Sequence, residues 1–320
     1  MQSDVEMIEN RSGSGVSGSS GVAIGDVERD TGLSKDTLRV WERRYGFPLP
    51  ERDGNGERRY AADQVQRLRL IRRLMDAGHR PGKLMSVGLA ELEALQSAPL
   101  IVDDECGRIA VELLALARLH QLSPLRAVLN QTLARQGLQR FVIETMPTVL
   151  RHIGEAWLHG EIGIADEHIL TEALQNLIRS AMHALPTQSA QSPAVLLTSL
   201  PEEDHGLGLL MVQALLESEQ AACLPLGLRT PLVDICSACR MAHIDVVGIS
   251  VSAAYAPRKA QSALKALRAM LPADIELWAG GAGISTQAAA LGDLPATRLL
   301  ADISDVLIAL QDWRSTRGAQ

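Results

Sequence analysis

From Ala194 onward the chain alternates short apolar runs with longer amphipathic stretches, and this alternation constrains the fold more than any other feature. AVLLTSL (194–200) is a nearly unbroken apolar run, as a strand buried on both faces requires, and LGLLMVQALLES (207–218) has the length and pattern of a helix. The pattern repeats as a strand at 221–225, a helix at 231–241, a strand at 245–250, a helix at 256–270, a strand at 275–279, and a strand and helix after Thr297. This order predicts a doubly wound, Rossmann-like parallel sheet over residues 194–320. Ligands of such sheets lie outside the carboxyl ends of the strands, so the loops that follow the strands become the first candidates for a site.

Upstream the period is helical. Residues 100–185 are rich in Leu and Ala, with breaks expected near Ser123-Pro124, Gly137, Met146-Pro147 and the Gly160 to Gly163 loop, which predicts a four-helix bundle. A polar, Pro-flanked stretch at 186–193 reads as a linker, and the Gly/Ser-rich residues 1–20 as a disordered tail. Between them, residues 21–97 begin with a short helix around Ile24 and Val27 that stops at Thr31-Gly32. Ser34 then caps a helix over Lys35 to Tyr45. ERDGNGERRY suits a small hairpin wing, ADQVQRLRLIRRLMDAG a helix ending at Gly78, and Pro81 to about Leu95 one more helix. The fold class is multidomain α and α/β: winged helix-turn-helix, four-helix bundle and doubly wound sheet.

Charge divides along the same lines. The net of −7 conceals a net of +4 from Gly21 to Lys83 and −9 from residue 84 on, so the cationic groups concentrate in the module built like a helix-turn-helix. Cations gain affinity for nucleic acid by releasing counterions from phosphates. No apolar run approaches a membrane span, no signal peptide precedes the fold, and four cysteines suit reduced thiols, so a soluble cytoplasmic protein is expected. Cys236, Cys239 and His243 form C-x-x-C-x3-H, but without a second Cys pair a zinc site is disfavoured. Cys106 and Cys223 sit among apolar neighbours, where buried thiols are ordinary. G-x-S-x-G, Walker A and H-E-x-x-H motifs are absent, and no enzyme activity is expected.

The blocks IGDVERDTGLSKDTLRVWERRYGF and GERRYAADQVQRLRLI resemble the winged-helix DNA-binding domain of the MerR family. Helix, glycine turn, Ser-capped recognition helix and Arg-Arg-Tyr wing occur in family order over about a quarter of the chain. Double-stranded promoter DNA is therefore the expected partner. Lys35, Thr37, Arg39 and Arg43 are expected along one side of the recognition helix, with Arg44 as a further candidate. Arg58, Arg59 and Tyr60 are expected to hold the DNA backbone from the wing. Trp41 is read as a core aromatic.

In the sheet module the loop PEEDHGLG places His205 between the first strand and its helix, with Glu203 two residues earlier and Gly208 three later. An imidazole there can offer one nitrogen to a metal while the other donates to a carboxylate. A histidine that merely satisfies the helix start is the competing reading. The bundle carries Trp157 and, after nine residues, Glu167-His168; two strand ends carry Ser250-Val251-Ser252 and Gly280-Gly281. Only four tryptophans occur in the chain, which makes the position of Trp157 conspicuous. Together these motifs resemble the cobalamin-binding half of the CarH/LitR photoreceptor regulators, which also carry a MerR-type front.

The resemblance implies His205 as lower axial ligand of cobalt, held by Glu203, with Gly208 beside the nucleotide tail and Ser250, Ser252, Gly280 and Gly281 lining the tail pocket. It implies Trp157, Glu167 and His168 over the upper face, where the family accommodates 5′-deoxyadenosyl. Leu158 stands where well-known members carry a histidine that captures cobalt after light. His159 lies one residue on, rotated by about 100° on a helix, so that role is not carried over to it. Ser250-Val251-Ser252 also departs from the more usual Ser-x-Leu. The implied function is a repressor whose assembly as a homo-oligomer, dimer or tetramer, and DNA affinity respond to adenosylcobalamin and light. Two competitors are a regulator with a degenerate cobalamin domain controlled by an antagonist protein, and a cobalamin-dependent methyl-transfer or mutase module.

Overall fold

The computed structural model describes residues 21–76, 79, 81–94, 104–186, 191–285 and 294–317. The expected tail at 1–20 lies outside these residues, as do Gly78 and 187–190 of the expected linker. The chain divides into two compact units, residues 1–72 and 73–320.

In the first unit, α1 (Ile24–Thr31) ends where Gly32 turns into the left-handed region at φ 66°, and Ser34 caps α2 (Lys35–Tyr45) by accepting from the Thr37 amide at 3.1 Å. The wing is a three-stranded antiparallel sheet, in which β3 (Arg58–Tyr60) pairs with both β2 (Glu51–Arg52) and β1 (Val22–Ala23). The Gly-Asn-Gly turn signalled the hairpin; the two-residue strand before α1 is too short to show a period. α3 (Ala62–Asp76) follows the wing, and Val27, Leu33, Leu38, Trp41, Val65 and Leu68 are buried. The single helix expected from Pro81 is instead two short ones, α4 (Pro81–Leu84) and α5 (Leu89–Ala94), parted at Gly88. Glycine weakens a helix interior by freeing the backbone.

The second unit contains bundle and sheet. Asp104 caps α6 (Glu105–Arg118), and α7 (Leu122–Gln136) ends at Gly137. The break expected near Ser123-Pro124 falls at residues 119–121, just before α7, whose first turn holds Pro124 where a proline costs no hydrogen bond. Met146-Pro147 does not break the chain: α8 (Leu138–Arg140) runs through a π-helical segment (Phe141–Thr145) into α9 (Met146–His159). The widened turn accommodates Pro147, which lacks an amide hydrogen. α10 (Ile164–His183) completes the bundle, with Asp166 accepting from the Gly163 amide at 2.9 Å.

The sheet has five parallel strands in the order β5-β4-β6-β7-β8. They are β4 (Gln191–Ser199), β5 (Ala221–Gly227), β6 (Val246–Ser250), β7 (Glu276–Gly280) and β8 (Thr297–Leu300). β4 starts at Gln191, so the last three residues of the expected linker belong to the sheet. The connecting helices are α11 (Leu207–Ser218), α12 (Leu232–Ala242), α13 (Pro257–Met270) and the short α14 (Ala282–Ser285); α15 (Asp305–Arg317) follows β8. Alternation within β4 explains the two cores. Val195 and Leu197 join α11, α15 and the bundle on one face, while Leu196 joins α12 and α13 on the other. The switch of strand order falls between β4 and β6, so the loops after these strands flank the crevice.

Three glycines let the strand ends approach. A Cβ on Gly281 (φ 103°) would lie 2.4 Å from the Val251 carbonyl oxygen, one on Gly283 2.3 Å from that of Ser252, and one on Gly208 3.1 Å from Ser250 Oγ. Gly281→Ala combines an unfavourable backbone with a clash against fixed backbone, and the expected loss of stability is about 3 kcal/mol. A urea midpoint lowered with unchanged slope shows this, and an unchanged midpoint refutes the tight junction.

Candidate functional site

The site grows from the loop between β4 and α11. Ser199 Oγ donates to the Glu203 carbonyl at 3.0 Å and accepts from the Arg229 amide at 2.9 Å, which closes the loop back on its strand. Tyr255 Oη donates to the Pro201 carbonyl at 2.8 Å and pins it from the β6–α13 side. The Glu203 side chain, only 2% exposed, thereby points inward.

Its carboxylate collects hydrogen bonds from two loops. Oε1 takes the His205 amide at 3.0 Å and faces His205 Nδ1 at 2.7 Å; Oε2 takes the Ser252 amide at 2.8 Å. Ser252 Oγ lies 2.9 Å and 3.1 Å from the two oxygens. Burial alone would push this carboxyl up, but the bonds from His205 and Ser252 outweigh it and hold Glu203 down from the ordinary 4.5 to about 2. An ionised Glu203 acts on the imidazole in turn, fixing the tautomer with hydrogen on Nδ1 and making Nε2 the nitrogen suited to a metal. The ring is 60% exposed at the carboxyl edge of the sheet. Glu203 and His205 pair as expected, whereas Ser252, expected to line the tail pocket, instead bonds Glu203 and is not among the residues that line the neighbouring cavity.

Beside it lies a cavity of about 380 Å³. Gly208, Ser250, Gly280 and Gly281 line its mouth, while Leu197, Gly248 and Trp278 form the row two residues deeper along β4, β6 and β7. Pro147 and Leu150 of α9 close it from the bundle, so the cavity spans bundle and sheet. A volume in the range of small-molecule sites and mostly apolar walls suit an elongated ligand. Trp278 and Gly248 were not singled out from sequence; Trp278, one of four tryptophans, had a signal in its rarity, whereas Gly248 had none.

Trp157 is half-buried against the bundle core in the last turn of α9, and Glu167 and His168 open α10 across the connecting turn. Glu167 Oε1 accepts from Thr171 Oγ1 at 2.7 Å, and Oε2 lies 2.6 Å from His168 Nδ1. The side chains of Leu158 and His159 lie outside the described residues. Cys236 and Cys239 are buried on α12, where burial pushes the Cys239 thiol up to about 11. Among the described residues no cluster of three or more His, Cys, Asp or Glu could hold a metal.

The other candidate surface lies in the first unit. Lys35, Arg39 and Arg43 follow at four-residue steps on the exposed side of α2, and Arg44 is exposed with its guanidinium 5.3 Å from the Tyr45 ring centre. Thr37 does not share that side: two residues from Lys35 it is rotated by about 200°, half-buried, with its hydroxyl 2.8 Å from that of Ser34. On the wing, Arg58 Nε donates to Glu42 and Arg59 Nε to Asp53, each at 2.9 Å, which holds both guanidinium groups in fixed positions. Tyr60 corrects the expectation of a phosphate contact. It is fully buried, and among the described residues its hydroxyl has no hydrogen-bond partner, so it serves as a core anchor of β3.

Comparison with known proteins bears on the two modules that carry these residues. The family described as MerR HTH family regulatory protein matches residues 22–84. The chain is 28% identical over 257 residues to the HTH-type transcriptional repressor CarH of Myxococcus xanthus, covering 78% of this chain and 85% of CarH. It is also 28% identical over 299 residues to the HTH-type transcriptional repressor CarA of the same organism, covering 93% of this chain and 98% of CarA. Residues 22–84 thus carry a MerR-type helix-turn-helix, and the chain as a whole resembles the repressors CarH and CarA. The Methanosarcina barkeri monomethylamine corrinoid protein shares the fold at a TM-score of 0.50 and 14% identity, over 63% of this chain and 96% of that one. No helix among the described residues is long and apolar enough to cross a membrane.

The depressed pKa of Glu203 has a consequence for stability. The folded value lies below the unfolded one, so the contribution is complete above about pH 4.5 and is lost as pH falls towards 2. It amounts to about 3 kcal/mol. Urea unfolding at pH 6 and pH 3 is expected to show about 2 kcal/mol of this loss in the wild type and to show it much reduced in Glu203→Gln; equal pH dependence in both would contradict the assignment.

Proposed function

We propose that this regulator binds a cobalamin at the carboxyl edge of its sheet and that the cofactor controls its hold on promoter DNA. The observation that carries the reading is the Glu203–His205–Ser252 cluster, with an ionised buried carboxylate orienting an exposed imidazole beside an apolar cavity. The residues present fit the group. His205 supplies a neutral nitrogen donor for cobalt, while the glycine at 208, where a Cβ would crowd Ser250, and the Gly280-Gly281 pair leave a cradle for a nucleotide tail. When bound, the cobalamin supplies a cobalt centre whose upper ligand can be exchanged or, in an alkylated form, lost to light.

The chain's own residues do the rest. Glu203, held by Ser252, fixes the imidazole, and Ser250, Gly280 and Gly281 border the tail. In the adenosylcobalamin reading Trp157 covers the upper face and Glu167 and His168 meet the ribose of the adenosyl group. Because Pro147 and Leu150 share the cavity with the strand ends, a ligand filling it favours the arrangement in which bundle and sheet are docked. That favoured arrangement is the form proposed to assemble as a homo-oligomer and occupy DNA. The MerR-type front and the helix-turn-helix relatives favour this reading over a methyl-transfer module. A corrinoid-free regulator answering to an antagonist protein is the remaining alternative. It is distinguished by full DNA control without any corrinoid.

Titrating His205→Ala with adenosylcobalamin in the dark is expected to abolish the absorbance change that accompanies histidine ligation in the wild type and to weaken binding at least about tenfold, since a metal ligand is lost. Wild-type spectra in the variant would remove His205 from the role. At the front, Arg39→Ala and Arg43→Ala are expected to weaken binding to a promoter fragment, whereas Tyr60→Phe keeps it and leaves stability unchanged or raised by about 1 kcal/mol, because a buried unpaired hydroxyl is removed. Gel shifts and urea midpoints read both effects. Loss of DNA affinity in Tyr60→Phe would restore the phosphate contact.

A further inference from the structure

We infer that the cavity selects corrinoids by the chemistry of the lower nucleotide base, admitting a benzimidazole and disfavouring a purine. The inference rests on the corrinoid reading above and concerns what that reading leaves open, the base class at the far end of the tail.

The mouth of the cavity is polar or bare, with Ser250 and the two glycines of β7 and its loop. The next row down, Leu197 on β4, Gly248 on β6 and Trp278 on β7, lies roughly 7 Å deeper, two residues along each strand. Gly248 does not open that floor to a polar group. A Cβ there would lie 2.7 Å from Leu197 Cδ2, so the space its missing side chain leaves is already taken by a leucine methyl. From the helices, Leu209, Val212 and Leu216 of α11 add apolar wall, and Leu300 closes the β8 side.

The polar side-chain atoms of this lining are largely committed elsewhere. Trp278 Nε1 donates to Glu276 Oε2 at 2.9 Å. Asp302 accepts on one oxygen, Oδ1, from the Ser304 amide at 2.9 Å and from Ser304 Oγ at 2.7 Å, and the residue itself is exposed two positions beyond the carboxyl end of β8, away from the row of Leu197, Gly248 and Trp278. The Gly280 carbonyl accepts from the Val251 amide at 2.9 Å. Ser250 Oγ remains at the mouth, level with Gly208 and the start of the tail rather than with its base.

A benzimidazole released from cobalt brings one ring-nitrogen acceptor and otherwise apolar surface. An adenine in the same position brings three ring acceptors and an exocyclic amine. Buried among the leucines, Val212 and Trp278 of this lining, those groups lose water without gaining partners. The tail's base is thus discriminated by unpaired polar atoms rather than by size, the same asymmetry that lets a site reject a ligand whose polar groups it cannot satisfy.

The test compares full-length protein titrated with cobalamin, with its adenine-tailed analogue and with tailless cobinamide, all in the aquo form. Dissociation constants come from tryptophan quenching, and His205 ligation from absorbance. Cobalamin is expected to bind at least about tenfold more tightly than the adenine-tailed form. The intrinsic chemistry opposes this order, because benzimidazole is the stronger base and must be pulled from cobalt first. Equal affinity for the two tailed corrinoids overturns the inference while leaving the cobalamin reading intact. Failure to bind any of the three overturns the cobalamin reading itself. Val212→Thr, which places a hydroxyl in the α11 wall at constant volume, is expected to narrow the ratio between the two while cobalamin still binds; an unchanged ratio counts against the lining as the source of selection and overturns the inference.

Discussion

The carboxylate of Glu203 is the contact on which the sensor half depends. A buried carboxylate alone is costly, and this one is tolerated because backbone and side-chain donors from two different strand ends converge on it. One loop follows β4 and the other follows β6, the strands between which the order of the sheet reverses. A single side chain therefore ties the two lips of the crevice together and sets the direction of His205. Removing the carboxylate frees the imidazole and also leaves the Ser252 amide without its acceptor, so geometry and ligation fail together.

The same economy governs the cavity. Its shape comes from absences: the missing side chains of Gly281 and Gly283 let the start of α14 touch the β6–α13 loop backbone to backbone, and that of Gly208 lets α11 approach Ser250. A Cβ at 281 or 283 would separate the two segments and displace Ser252 from Glu203. The glycines are thus coupled to the carboxylate cluster through the backbone of Val251 and Ser252, although neither touches His205.

Much of this was legible in the sequence because it rested on period and local rules. The unbroken apolar run of β4 announced a strand buried on both faces, and the loop position of His205 followed from the edge rule for parallel sheets. The capping serine of α2 and the Gly-Asn-Gly turn of the wing are likewise local signals. What escaped was set by tertiary context. The chain does not break at Met146-Pro147, because a π-helical turn absorbs the proline. Tyr60 looked like a wing contact because it follows two arginines in the sequence, yet its side chain is turned into the core while theirs are half-buried in ion pairs. Thr37 was grouped with Lys35 by proximity in sequence, whereas a two-residue step crosses the helix. Gly248 and Trp278 face the cavity only because register pairs them with Leu197 across two strands, and register is invisible in any one segment.

The position of the cavity bears on how a signal could leave the site. Its walls come from the strand ends, from α11 and α15, and from Pro147 and Leu150 at the start of α9. Trp157 lies ten residues beyond Pro147 on that same helix, nearly three turns away. A ligand that fills the cavity presses on one end of α9, and in the proposed reading a group bound above the imidazole would meet the other end through Trp157. Both contacts act on one rigid element. Linkage then requires that whatever stabilises the docked position of α9 also tightens ligand binding, and that whatever displaces α9 loosens it by the same factor. In the proposed reading a change of upper ligand would need no contact with DNA to be felt, only a different preference for where α9 sits.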